Sequence, residues 1–265
     1  MKILFAIIVA TVLAINAIGQ FKLAVSDELR QANDEYKVKG RQGILIKQKL
    51  SFGEYSTSIV NRSWTKGGGS YWGIGSGRPG TNDHTNIISM EYINRRQTIF
   101  FNLTDSQGRK SEVFGASKSR SKDLEIGNPN NIFTVAMDLL GLGGRSEDQY
   151  YLQIYTDSVS QPWQMVLNIQ AAEAQPKKYV GVLAQDKDHY YTVVPVTKIE
   201  RKNGKIVNTL GGPLGYEFRN AQGVAVAAVS LVDSGMVFLG KTDPTERFLL
   251  ANVSAALLLY QAIDE

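Results

Sequence analysis

The sequence predicts a mainly β domain: a barrel-like meander of about twelve antiparallel strands enclosing, or packed on, a hydrophobic C-terminal helix. Three observations carry that expectation. Short apolar runs recur from Lys37 onward, separated by polar turns. The turns have defined chemistry, with Asn203-Gly204 the strongest tight-hairpin dipeptide among them. The segment from Phe248 to Ile263 is apolar on every side, and a helix with no polar face must be surrounded. In a chain of strands, a barrel is the simplest surround.

In chain order, residues 1–19 read as a secretory signal peptide. Met1-Lys2 supplies a positive start, Ile3 to Ile15 is almost unbroken apolar sequence, and Ala17-Ile18-Gly19 offers small residues for cleavage near Gly19-Gln20. The apolar run is shorter than the roughly 20 residues that span a bilayer, so no integral membrane span is expected after cleavage. Residues 20–265 then form one β-rich domain closed by a helix over 244–263.

Ser26 to Tyr36 is polar and acid-rich, which suggests a short helix or ordered lead-in. Strand candidates follow at Ile44 to Leu50, Tyr55 to Trp64, Ile87 to Ile93 and Thr98 to Leu103. Asp105-Ser106-Gln107-Gly108, Asn220-Ala221-Gln222-Gly223 and Asp233-Ser234-Gly235 are turns in which glycine supplies a positive φ. Gln185 to Asp188 reads as a hairpin tip between Val180–Leu183 and Tyr190–Val194, and Pro195 is expected to end the second strand or mark an edge. Asn128 to Gly144 suggests a short helix or apolar crossover, and Ala171 to Lys178 a linker between two β halves. Asp243-Pro244-Thr245-Glu246 is a helix start, with Asp as N-cap, Pro in the first turn and Glu three residues after the cap.

The strand–turn–strand sequence Leu214-Gly215-Tyr216-Glu217-Phe218-Arg219-Asn220-Ala221-Gln222-Gly223-Val224-Ala225-Val226-Ala227-Ala228-Val229, then Gly235 to Leu239, then the helix from Pro244, resembles the tubby-like group, which includes the phospholipid scramblase and plant LURP-one-related families. The resemblance covers about the last fifty residues. It implies a closed barrel threaded by its last helix. Lipid binding enters by this fold analogy alone, and no site residue is transferred.

Composition narrows the chemistry. The 265 residues carry a formal net charge of +4 with no cysteine and two histidines, His84 and His189. Disulfides, thiolate metal sites and cysteine nucleophiles are excluded. Lys118, Arg120 and Lys122 alternate with serines, which reads as a solvated loop, and no nucleic-acid partner is expected. Neither a Walker-A sequence nor a G-x-S-x-G elbow occurs. Asp186, Asp188 and His189 have the spacing of a hairpin tip more than of a metal site, and no metal or cofactor is expected. Glu91, Asp105, Glu112 and Glu217 are carboxylates in or near strands, read as exposed strand faces.

One segment stands apart. Lys66 to Asn86 is long and glycine-rich, with Gly67-Gly68-Gly69 and Gly73, Gly75 and Gly77. It carries Tyr71, Trp72, Arg78, Asp83 and His84 together, which makes these five the candidate ligand-binding residues. The functional expectation is an exported bacterial envelope protein, secreted or periplasmic. It would act on an envelope protein or small ligand by binding or structural association rather than catalysis. The alternatives are a hydrolase with its site beside loop 66–86 and a lipid-binding module.

Overall fold

A computed structural model describes residues 21–31, 33–42, 48–63, 72–73, 89–90, 97–119, 149–156, 161–209 and 211–260. The first half of these holds β1 (Phe21–Leu23), α1 (Asp27–Gln31), β2 (Asn33–Lys37), β3 (Ser51–Phe52), β4 (Tyr55–Thr57), β5 (Asn61–Ser63), β6 (Trp72–Gly73), β7 (Ser89–Met90), β8 (Gln97–Thr104) and β9 (Lys110–Ser119). The second half holds β10 (Gln149–Thr156), β11 (Trp163–Asn168), α2 (Ile169–Ala174), β12 (Gly181–Ala184), β13 (Tyr190–Val196), β14 (Lys198–Arg201), β15 (Ile206–Asn208), β16 (Gly215–Arg219), β17 (Ala225–Ser230), β18 (Met236–Gly240) and α3 (Pro244–Leu259).

Twelve strands form one antiparallel sheet in the order β2-β18-β17-β16-β13-β12-β11-β10-β9-β8-β4-β3, with β5 added beside β8. The sheet curls until its two ends nearly meet. The bridge Lys39↔Ser51 joins the chain after β2 to β3, with Lys39 N–H and Ser51 N–H each donating to the other's carbonyl. The seam of the barrel is therefore one bridge pair wide.

Alternation along each strand decides what faces inward. Ile99, Phe101 and Leu103 of β8, Leu152 and Ile154 of β10, Met165 and Leu167 of β11, and Val237 and Leu239 of β18 all join one core around α3. From Phe248 to Leu259 every residue of α3 is buried. Ala251, Ala255 and Ala256 let strands approach, while the leucines fill the space between them. At 1.5 Å per residue the 16-residue helix is about 24 Å long. That matches the height of the wall strands, which at ~3.4 Å per residue reach ~27 Å over the eight residues of β8. Among the described residues, no helix is long and apolar enough to cross a membrane.

The start of α3 follows its sequence signals, with Pro244 and Glu246 in the first turn. Asp243 is the N-cap, accepting from the Thr245 and Glu246 N–H groups. Glu246, three residues after the cap, accepts from the Tyr191 hydroxyl of β13 and ties the helix to the wall. The helix ends at Leu259 with Tyr260 as C-cap, short of the expected 263, and residues 261–265 lie outside the described ones.

Three further expectations are corrected. Pro195 lies inside β13, between β12 and β16, rather than ending a strand. The Leu214 N–H donates to the Val196 carbonyl, so Val196 points its backbone at β16 and Pro195 points toward β12. Pairing with β12 has already stopped at Gly181↔Val193, and the missing N–H of Pro195 costs no ladder bond. Ala171 to Ala174 is helix, not linker: Asn168 caps α2 by accepting from the Ala171 N–H, and the sheet runs on from β11 to β12. The polar lead-in splits into α1 and the strand β2, because β2 supplies the edge that pairs with β18.

Outside the barrel lies a second, smaller core. Leu23, Val25 and Leu29 of the lead-in pack on Val196, Ala225, Ala228 and Phe238 of the outer sheet face. β1 pairs with β14, and β14 with β15, in a three-stranded side sheet. Glu217, expected on an exposed strand face, is 2% exposed there. Its carboxylate accepts from the Ser26 backbone N–H and from Arg219, so the burial has partners on both sides.

Candidate functional site

With α3 filling the barrel, sites for chemistry lie at its two ends and on its outer face. The strand directions sort the ends clearly. The fully described connections at the helix amino end are short turns: Gly53-Glu54, Asp105 to Arg109, Gln185 to His189, Asn220 to Val224 and Lys241 to Asp243. At the helix carboxyl end the chain leaves β5 at Ser63 and returns to β8 at Gln97, and it leaves β9 at Ser119 and returns to β10 at Gln149. The registers Ser63↔Thr98 and Gln149↔Ser119 put both departures at this end. The connection between Arg41 and Gln48 starts here too.

The amino-end rim is braced. Arg247 donates to the Gly240 carbonyl at 2.7 Å, to Asp34 at 2.8 Å and to the Tyr36 hydroxyl at 3.0 Å. Asp105 accepts from the Gln107 and Arg109 N–H groups and from Arg109 Nε at 2.6 Å. The Arg109 guanidinium then lies 5.2 Å over the Phe248 ring. Trp163 and Tyr191 stack with ring centroids 5.6 Å apart.

The Asp186–His189 tip belongs to this rim and is a turn, as its spacing predicts. Asp186 Oδ1 accepts from the N–H groups of Asp188 and His189, and its carboxylate meets His189 Nδ1 at 2.9 Å. Slight burial pushes this carboxyl up. The His189 side chain and the two backbone N–H groups outweigh that and hold it below the usual carboxylate range. Among the described residues, no group of three or more metal-ligating side chains forms.

The carboxyl-end rim gathers cations instead. The last helical carbonyls have no intrahelical partner and carry the negative end of the helix dipole. Arg41 Nε donates to the Leu258 carbonyl at 3.1 Å. Its Nη1 donates to the Leu231 and Asp233 carbonyls at 2.7 and 3.0 Å. Arg62 Nη2 donates to the Leu259 carbonyl at 3.2 Å, and the Tyr150 hydroxyl to that of Ala256 at 3.0 Å. The Tyr150 and Tyr260 rings lie 4.8 Å apart beside them. Burial lowers the pKa of both guanidinium groups, yet arginine stays protonated. Burial raises the Tyr150 phenol far above its ordinary 10.0, so it is a neutral donor at physiological pH. Two fixed cations, a neutral phenol and an apolar wall can hold an anion. The described side chains here include no nucleophile paired with a base.

Of the five residues expected to bind a ligand, Tyr71, Arg78, Asp83 and His84 lie outside the described residues. Trp72 falls in β6, where its backbone pairs with Met90 of β7. All five belong to the 64–96 stretch that leaves and rejoins the barrel beside Arg62. Glu91 and the 128–144 segment are likewise outside the described residues. Arg41, Arg62 and Tyr150 are not among the residues expected from the sequence to bind a ligand. For Arg62 a signal existed: a period of two from Val60 puts it on the inward face, and a charge on an inward face asks for a reason.

Compared with known proteins, the chain matches no family model, no curated protein and no solved structure.

Proposed function

We propose that this is a non-catalytic binding protein of the bacterial envelope, exported through its N-terminal leader, with its binding surface at the carboxyl end of α3. One observation supports the reading most: the barrel interior is filled by its own helix, and the two long connections at 64–96 and 120–148 both spring from the carboxyl-end rim. Loops set on a rigid scaffold are where recognition concentrates. Tyr71, Trp72, Arg78, Asp83 and His84 on the first connection offer stacking and hydrogen-bonding groups to an envelope protein or small ligand.

Exchanging residues 67–80 for a Gly-Ser linker of equal length tests this. Capture of a partner from envelope extract should fall while the melting temperature stays unchanged. Equal capture by the exchanged and native proteins would end the proposal. Export is tested separately, by sequencing the N-terminus of the protein recovered from the periplasm or medium. The expected first residue is Gln20, and a retained Met1 would refute cleavage.

A further inference from the structure

We infer that Arg62 anchors an oxyanion site on the carboxyl-end rim, where a ligand's carboxylate or phosphate group docks on its guanidinium. This deepens the reading of that rim as the binding surface and rests on it.

Arg62 of β5 pairs with Ile99, and opposed residues share a face of the sheet. Ile99 is part of the barrel core, so Arg62 is directed inward at the rim. A guanidinium has five N–H donors, and among the described residues Arg62 uses one of them, from Nη2 to the Leu259 carbonyl. Its Nε and Nη1 are shielded from solvent and have no hydrogen-bond partner. The residue as a whole keeps partial exposure at the rim, so a ligand reaching Nε or Nη1 must displace what now shields them.

Other arginines in the described structure are better matched. Arg109 meets Asp105, Arg219 meets Glu217 and Arg247 meets Asp34. Arg41 has no carboxylate but reaches three carbonyls. Among the described residues, Arg62 has one neutral carbonyl for a full positive charge. A buried charge left without a counter-charge is costly, and arginine cannot relieve the cost by losing its proton.

The shape of the free donors indicates what fits. Nε with one Nη2 proton forms one fork, and Nη1 with the other Nη2 proton forms a second. Leu259 takes a single Nη2 proton, so one complete fork has no acceptor among the described residues. Two parallel N–H donors match two oxygens of a carboxylate or phosphate. Arg41 adds a second positive charge at the same helix end, and the Tyr150–Tyr260 ring pair offers an apolar wall.

The test compares the melting temperature of the full mature protein in chloride, acetate and inorganic phosphate at equal ionic strength and pH. The native protein should melt about 2–4 °C higher in at least one oxyanion than in chloride, and the oxyanion giving the larger rise identifies the carboxylate or phosphate class. Arg62→Met should show no rise. Arg62→Lys, which keeps the charge but loses the fork, should show less than half of it. Because Arg62→Met removes a buried charge, it is expected to fold. The Nε resonance of Arg62 in the native protein gives a second readout that needs no variant, and it should move with the same anion. An equal rise in all three proteins, or no rise and no movement of the Nε resonance in the native protein, overturns the site. The 67–80 exchange should keep the anion effect, so loss of partner capture and loss of the anion site are scored independently.

Discussion

Asn252 places a carboxamide in the middle of an otherwise apolar helix, at 0% exposure. Its Nδ2 donates to the Phe248 carbonyl at 2.8 Å, and its Oδ1 accepts from the Ser111 hydroxyl of β9. This pair is a polar clamp between helix and wall, and its worth can be worked out. Asn252→Ala leaves the Ser111 hydroxyl with only a long 3.4 Å contact to the Leu103 carbonyl. A buried hydroxyl left so poorly matched costs about 1–3 kcal/mol, and the vacated volume adds to it. Ser111→Ala leaves Oδ1 of Asn252 without its donor, for about 1–2 kcal/mol. The double variant removes both halves together, so it should be less destabilised than the sum by about 1 kcal/mol. In a domain of this size each kcal/mol lowers the melting temperature by roughly 2–4 °C. The assay is urea unfolding of the four proteins of the cycle. Strict additivity, or an Asn252→Ala loss below about 0.5 kcal/mol, would show that the helix does not sit against β9 in this register.

Gly40 has φ +83°, and a Cβ there would meet the Lys49 carbonyl oxygen at 1.9 Å, beside the Lys39↔Ser51 seam. Gly40→Ala should lower the denaturant midpoint by an amount equivalent to ~2 kcal/mol or more, and an unchanged midpoint would mean the seam does not close there. Burial pushes the Tyr55 and Tyr179 phenols up to about 12, and those of Tyr150, Tyr191 and Tyr216 higher still. Their neutral forms are favoured in the fold, so this stabilisation is complete below the unfolded value near 10 and is lost as pH rises through 12. Alkaline titration at 295 nm should show these tyrosines ionising together with unfolding, and a simple non-cooperative curve near pH 10 would contradict their burial. Glu217→Ala removes the acceptor of the Ser26 N–H, so trypsin should cut after Lys22 or Arg30 much faster than in the native protein. Glu217→Gln keeps the acceptor and should resist, and equal resistance of both variants would show that the carboxylate does not hold the lead-in.

The parts legible in the sequence are those whose cause is local. Turns at Gly108, Gly204, Gly223 and Gly235 each adopt the positive φ that their position demands. The N-cap of α3 is written in Asp243-Pro244, and its burial in the absence of any polar face. What was not legible depends on partners far away in the chain. Asn33 to Lys37 is polar and looks unlike a strand, yet β18 lies open beside it and recruits it. Pro195 is tolerated only because β12 ends two residues earlier. Glu217 looks like any outward strand carboxylate until the lead-in folds over it from 191 residues away. Arg41 and Arg62 act on helix carbonyls 217 and 197 residues distant, a relation that no local pattern encodes. The glycine-rich candidate segment was legible as a composition, and the structure adds that the chain carrying it leaves the barrel at Ser63 and rejoins it at Gln97.

Site-resolved hydrogen exchange of α3 tests the central claim most directly, that the C-terminal helix is the core of the barrel rather than a surface element. Amides from Phe248 to Leu259 should be among the slowest in the molecule. They should exchange only through global unfolding, with an opening free energy equal to the stability measured by urea. The Asn220 to Gly223 tip should exchange far faster in the same sample. If the α3 amides exchanged as fast as that tip, the helix would not lie inside the barrel, and the rim that it defines would not exist.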